Sequence, residues 1–171
     1  MMWCEAGRVA MRGCLGVRGE KCMVNPIKVS IVDDDDSFRR DVRVWLESAN
    51  GITVVGEAQD GQQAISLIRE THPDVVLLDI GTRHASSLQA IRQICAWFPH
   101  TKIIVLHDAG QEELVLDALR QGVLGHLVKG KAQPAEIVQA IRAVSRGEAI
   151  LSPDVAGCIL NETVQKQHKG G

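Results

Sequence analysis

From residue 26 onward the chain alternates between two hydrophobic periods. Short aliphatic runs rich in β-branched residues occur at 27–32 (IKVSIV), 52–58 (ITVVGEA), 73–79 (PDVVLLD), 101–106 (TKIIVL) and 123–128 (VLGHLV). Runs this short and this continuously apolar predict strands buried on both faces of a parallel sheet. Between them, apolar residues recur at helical spacing: Phe38, Val42, Leu46 and Ala49; Ala64, Ile65 and Ile68; Leu88, Ile91, Cys95 and Phe98; Val115, Ala118 and Leu119; Ile137, Ile141 and Val144. Local chemistry marks the ends. Asp35 or Asp36 caps the first helix, Asp60-Gly61 reads as a turn, and His72-Pro73 stops the second helix. The third helix starts near Ser86 and stops near Pro99, Gly122 closes the fourth, and Pro134 opens the fifth.

Five strands alternating with five helices specify an α/β, doubly wound parallel sheet with helices on both faces. Right-handed crossovers give the flavodoxin-like strand order 2-1-3-4-5. This domain occupies 26–147. Residues 1–25, with scattered glycines, arginines and little periodicity, read as a disordered extension, and Met23 as a natural first residue. Residues 148–171 read as a linker-like short helix carrying Val155, Ile159 and Leu160, followed by a polar tail.

Composition narrows the function classes. With 171 residues, the chain has room for one domain and appendages. Aromatics are 3% with no Tyr, so the core is aliphatic and no platform for stacking single-stranded nucleic acid exists. A net charge of −2 supplies no basic face for duplex binding. No apolar run approaches the ~20 residues of a membrane span. The five cysteines are scattered and odd in number, as expected of reduced thiols in the cytoplasm, with Cys95 and Cys158 as small buried apolar residues.

The polar positions that matter lie at strand ends. The first strand runs into Asp33 and Asp34, the third ends in Asp79, and Lys129 follows the fifth. In a sheet of this order, ligands bind outside the carboxyl ends of the strands where the order reverses, between the first and third strands. Three carboxylates gathered there require either a bound Mg²⁺ or strongly raised pKa values. With the lysine they make a site for a phosphoryl group and a hard cation. Each residue also has a plainer reading. Asp35 and Asp36 are helix caps, Asp74 is turn chemistry, and Lys129 taken singly is a surface lysine.

The segments VDDDDSFR (32–39), PDVVLLDIG (73–81) and GVLGHLVKG (122–130) resemble the receiver domain of two-component response regulators over residues 27–147. The stretch RAVSRGEAILSPDVAGCIL (142–160) is similar to the linker that follows the receiver in regulators of the NarL/LuxR type. The resemblance implies that Asp79 is the phosphoacceptor for a sensor histidine kinase or phosphotransfer protein. It implies that Asp34 ligates Mg²⁺ directly, Asp33 through water, and Asp79 and the Gly81 carbonyl complete the set. Lys129 would pair with Asp79 at rest and with a phosphoryl oxygen afterwards. The product is a cytoplasmic signalling module, not an enzyme beyond its own phosphorylation and dephosphorylation. Its face of helix 4, strand 5 and helix 5 would pair with a second copy or an effector, and in a full-length relative it would regulate transcription.

Three positions depart from that pattern. His107 stands where a Ser or Thr ends the fourth strand, His126 replaces a Tyr or Phe, and Gly81-Thr82-Arg83-His84 replaces the usual loop. His107 either donates a hydrogen bond to the phosphoryl group or faces solvent; His126 reads as a half-exposed strand residue. The departures motivate an alternative, a pseudo-receiver acting by phosphorylation-independent protein–protein interaction. The 18 residues after Pro153 are too few for a helix-turn-helix domain, so this chain alone is expected not to bind specific DNA. A phosphohydrolase would carry a second acid where Gly81 stands, and a nucleotide-binding protein would carry glycines where the aspartates stand.

Overall fold

The computed structural model describes residues 25–81, 84–153 and 155–159. Along the chain run β1 (Ile27–Val32), α1 (Asp36–Glu47), β2 (Ile52–Ala58), α2 (Gly61–Thr71), β3 (Val75–Asp79), α3 (His84–Trp97), β4 (Lys102–His107), α4 (Glu112–Arg120), β5 (Gly125–Val128) and α5 (Pro134–Ser145). The strands form one parallel sheet in the order β2-β1-β3-β4-β5, as the alternation predicts. Among the described residues, no helix is long and apolar enough to cross a membrane.

The strands read as continuous apolar runs because helices cover both faces. Val29, Ile31, Leu77, Ile104 and Leu106 pack with Val42 and Leu46 of α1 and Ile137, Ile141 and Val144 of α5. Their neighbours Val32, Val76, Leu78, Ile103 and Val105 pack on the other face with Ala64 and Ile68 of α2, Ile91 and Ile94 of α3, and Val115 and Ala118 of α4. Fully burying such a side chain contributes about 1.5–3 kcal/mol, so these two layers dominate stability.

The ends of the elements follow local chemistry. Asp35 caps α1, its carboxylate accepting from the Ser37 and Phe38 N–H groups, which holds its pKa below the usual value. Asp74 locks the start of β3: its carboxylate accepts from the Lys28 N–H at 2.8 Å, and its own N–H donates to the Lys28 carbonyl at 2.8 Å. β5 begins two residues later than predicted, at Gly125, since Val123 and Leu124 still belong to the turn after α4. Beyond α5, Ile150 adds a single parallel bridge to Gly125 at the free edge of β5. A short helical segment follows at 155–159, where Val155 is buried and Ile159 packs beside it. The expected extension at 1–24 and the tail from Leu160 lie outside the described residues.

Two expectations need correction. Cys158 is exposed rather than buried, whereas Cys95 is half-buried and burial pushes its thiol pKa up. Gly61 is not part of a turn. Asp60 caps α2, and Gly61 is its first residue, buried against α3. A Cβ at position 61 would stand 2.6 Å from the Ala90 Cβ and 3.1 Å from the Ser86 carbonyl oxygen, so the glycine sets the closeness of two helices. We expect Gly61→Val to lose about 1–3 kcal/mol of stability through overpacking, read as a lowered urea midpoint with an unchanged slope. A midpoint equal to the parent's would show that α3 gives way without strain.

Candidate functional site

β1 and β3 are neighbours, so the residues leaving their carboxyl ends share one edge of the sheet. Asp33 follows β1 directly, its N–H donating to the Ala58 carbonyl of β2 at 3.1 Å. Its carboxylate is buried, and both oxygens are engaged. Oδ1 accepts from the Asp35 N–H at 2.9 Å and Oδ2 from Lys129 Nζ at 2.7 Å. Asp34 lies beside it on the exposed side of the cluster. Asp79, the last residue of β3, is paired in register with Leu106 of β4. Its backbone carbonyl accepts from the Ser87 hydroxyl at 3.1 Å, joining the acid to the first turns of α3.

Lys129 reaches this edge because its N–H donates to the His107 carbonyl at 2.7 Å, fixing the chain as it leaves β5. Its ammonium lies 2.7 Å from Asp33 Oδ2, 3.6 Å from Asp79 Oδ1 and 4.6 Å above the Phe38 ring. The lysine is thus shared between two carboxylates and sits closer to Asp33 than to Asp79. Burial pulls the Lys129 pKa down, but the hydrogen bond to Asp33 and the charges of Asp79 and Asp33 outweigh it, and the net direction is up.

Asp79 is the electrostatically unusual member. Its Oδ1 is buried and has no hydrogen-bond partner, although such atoms are nearly always satisfied. Burial raises its pKa, and the neighbouring charge of Asp33 raises it further. Lys129 and the Gly81 N–H oppose, and the result is about 6. One carboxylate oxygen from each of Asp33, Asp34 and Asp79 lies within 4.8 Å of the others. Hard oxygen donors, an orphaned carboxylate oxygen and excess negative charge fit a small divalent cation such as Mg²⁺. A shallow cleft bordered by Asp34, Asp60, Asp79 and Ser86 leads to the cluster from solvent.

The four ionic groups singled out in the sequence therefore come together at one point. His107 does not join them. Its ring is buried, with Nδ1 2.8 Å from the Asp108 carbonyl and Nε2 3.1 Å from His126 Nδ1, so it neither faces solvent nor points at the carboxylates. His126 is buried too, not half-exposed. The altered loop at Thr82 and Arg83 lies outside the described residues.

Several contributors are not visible in strand-end reasoning. Phe38, Ser87 and Arg39 each support the site from a helix. The buried Arg39 guanidinium binds the Asp33 carbonyl, the Asp36 carboxylate and, at 3.4 Å, Glu57 of β2. Charged residues are rarely buried unless paired, so an arginine amid the apolar positions of α1 is the signal that could have flagged it.

The model for the response regulator receiver domain matches residues 29–142, and the chain belongs to that family. Among relatives, the transcriptional regulatory protein YxjL of Bacillus subtilis is 36% identical over 143 residues, which are 84% of this chain and 65% of that protein. The transcriptional regulatory protein LiaR of the same organism is 37% identical over 135 residues, 79% of this chain and 64% of its own. This chain thus spans slightly less than two thirds of the length of these relatives. A crystal structure of a LuxR-family two-component response regulator from Aurantimonas sp. SI85-9A1 superposes with a TM-score of 0.71 at 34% identity, covering 81% of this chain and 99% of that one.

Proposed function

We propose that this receiver domain accepts a phosphoryl group on Asp79 from a phosphohistidine of a sensor histidine kinase or phosphotransfer protein. The observation that carries the reading is the buried Oδ1 of Asp79, which accepts no hydrogen bond and is set beside two further carboxylates and the Lys129 ammonium. With a pKa near 6, Asp79 is mostly ionised at neutral pH and is the nucleophile. Its oxygen forms a bond to phosphorus as the P–N bond to the donor imidazole breaks, and the imidazole leaves with a proton taken up from solvent. Little covalent chemistry is required of the protein, so positioning and charge neutralisation supply most of the catalysis.

Asp33, Asp34, Asp79 and the Gly81 carbonyl would hold Mg²⁺, with Asp33 acting through water because both its oxygens already have protein partners. The cation supplies neutralisation of the charge on the transferring oxygens. Lys129 contributes the second positive charge and moves from its carboxylate partners to a phosphoryl oxygen. The modified state then biases the face of α4, β5 and α5 towards pairing with a second copy or an effector. Within a longer regulator of the YxjL or LiaR kind, that bias would regulate transcription in the cytoplasm.

A second reading has one specific observation in its favour. The residue at the switch position, His107, is committed to His126 and Asp108 rather than available to the acid site. A pseudo-receiver that binds partners without phosphorylation fits that commitment. Incubation with acetyl phosphate and Mg²⁺, followed by intact-mass measurement, separates the two. We expect a gain of one phosphoryl group in the parent and none in Asp79→Asn. A parent that gains nothing supports the pseudo-receiver.

A further inference from the structure

On the sheet face opposite α1 and α5, β4 and β5 place two imidazoles diagonally. Val105 pairs with His126 and His107 with Val128, which sets both rings on one side, 5.2 Å apart between centroids. His107 is 1% and His126 6% exposed. A chain of hydrogen bonds runs through them: Ser152 N–H to His126 Nε2 at 3.0 Å, His126 Nδ1 to His107 Nε2 at 3.1 Å, and His107 Nδ1 to the Asp108 carbonyl at 2.8 Å. Both ends are chemically fixed. An amide N–H can only donate and a carbonyl can only accept. His126 Nε2 must therefore be bare and its Nδ1 protonated; His107 Nε2 must be bare and its Nδ1 protonated. Only the neutral, doubly Nδ1–H arrangement satisfies every atom.

A proton added to either ring breaks this chain at the same place. On His126 it would sit on Nε2 and face the Ser152 N–H. On His107 it would sit on Nε2, force His126 to accept at Nδ1, and so drive the His126 proton to Nε2, again against Ser152. Among the described residues, the segment after α5 is tied to the sheet by this bond at Ser152, by the bridge at Ile150 and by the packing of Leu151, Val155 and Ile159 on the core.

We propose that the His107–His126 pair is a proton-sensitive latch that holds the segment from Ile150 to Ser152 against the β5 edge and releases it in acid. The latch does not depend on the phosphorylation reading, because neither ring contacts the acid cluster. His107, however, also gives its backbone carbonyl to the Lys129 N–H, so the two devices share β4. The charged groups bordering the pair are Asp108 after β4, Glu112 on α4, Lys129 and Lys131 after β5, and Glu136 on α5. Burial lowers the His126 pKa, the His107 charge lowers it further, and Glu112 opposes. A histidine with a depressed pKa contributes stability that is complete above its unfolded value of ~6.5 and is lost as pH falls below it, by at most tenfold per unit.

Imidazole ¹⁵N spectra of the full chain at pH 7.5 should show Nδ1–H with bare Nε2 for both rings. Amide exchange at Ser152, expressed as a protection factor to remove intrinsic pH dependence, should fall roughly tenfold between pH 7.5 and 5.5, while Leu77 in the core of β3 keeps its protection. In His126→Phe, which retains a ring but no acceptor, Ser152 should be weakly protected at both pH values. A Nε2–H form of His126 at pH 7.5, an unchanged Ser152 protection factor, or a parallel loss at Leu77 would overturn the latch.

Discussion

In the presence of a chelator, Lys129→Met should lose about 3–5 kcal/mol of stability, far more than a surface lysine. The Asp33 carboxylate has no exposed surface and takes a cationic hydrogen bond from Lys129, whose side chain is itself 17% exposed. Removing the ammonium takes away the cation that Asp33 and Asp79 share, while three carboxylate oxygens stay within 4.8 Å of one another. Breaking such a pair costs much more than the pair contributes, since the remaining charge stays buried. Millimolar Mg²⁺ should recover a large part of the loss, because a divalent ion replaces the missing charge, whereas it should stabilise the parent less. Urea unfolding of both proteins with and without Mg²⁺ measures this. A loss below about 0.5 kcal/mol in chelator would mean that the ammonium does not neutralise the cluster.

Asp79→Asn should act in the opposite direction. The Asp79 pKa is raised from 3.8 to about 6, chiefly by burial and then by the charge of Asp33. Between these values the folded protein binds a proton that the unfolded chain has lost, so this residue makes the parent less stable as pH rises through that window. Above about pH 6 the penalty is complete. An amide at this position removes the charge and keeps the shape. We therefore expect the variant to be more stable than the parent by roughly 1–3 kcal/mol at pH 8 in chelator, with the difference shrinking to near zero towards pH 4. Saturating Mg²⁺ should reverse the ranking by binding the parent more tightly. Thermal or urea unfolding across pH 4–8 tests the sign; a variant that is less stable at pH 8 in chelator would show that Asp79 is well satisfied in the resting protein. Together the two variants separate the carboxylate that is neutralised from the one that is not.

Much of this was legible in one dimension. The alternation of continuous apolar runs with helical spacing gave the element order, and parallel strands with right-handed crossovers leave few topologies to choose between. Acids placed just after the first and third runs had to meet, because parallel neighbours end on the same edge. Lys129 could be brought there from the fifth run for the same reason. Asp35 and Pro134 announced helix starts through capping and ring geometry, which are properties of a few adjacent residues.

Partner choice across the fold was not legible. Nothing in the spacing of Lys129 says that its ammonium sits 2.7 Å from Asp33 and 3.6 Å from Asp79, or that Phe38 lies beneath it. Arg39 reads as a polar residue on a helix, and only the packing of α1 beside β2 shows that it is buried against Glu57. His107 and His126 stand 19 residues apart and meet only through the β4–β5 register, which also brings Ser152 from beyond α5 to the second ring. Periodicity and strand-end position are one-dimensional quantities, so the chain alone determined its elements, their order and the edge where charge accumulates. Hydrogen-bond partners, proton positions and the strength of each charge depend on distances of an ångström and on exclusion of water, and those exist only once the sheet and its helices have closed.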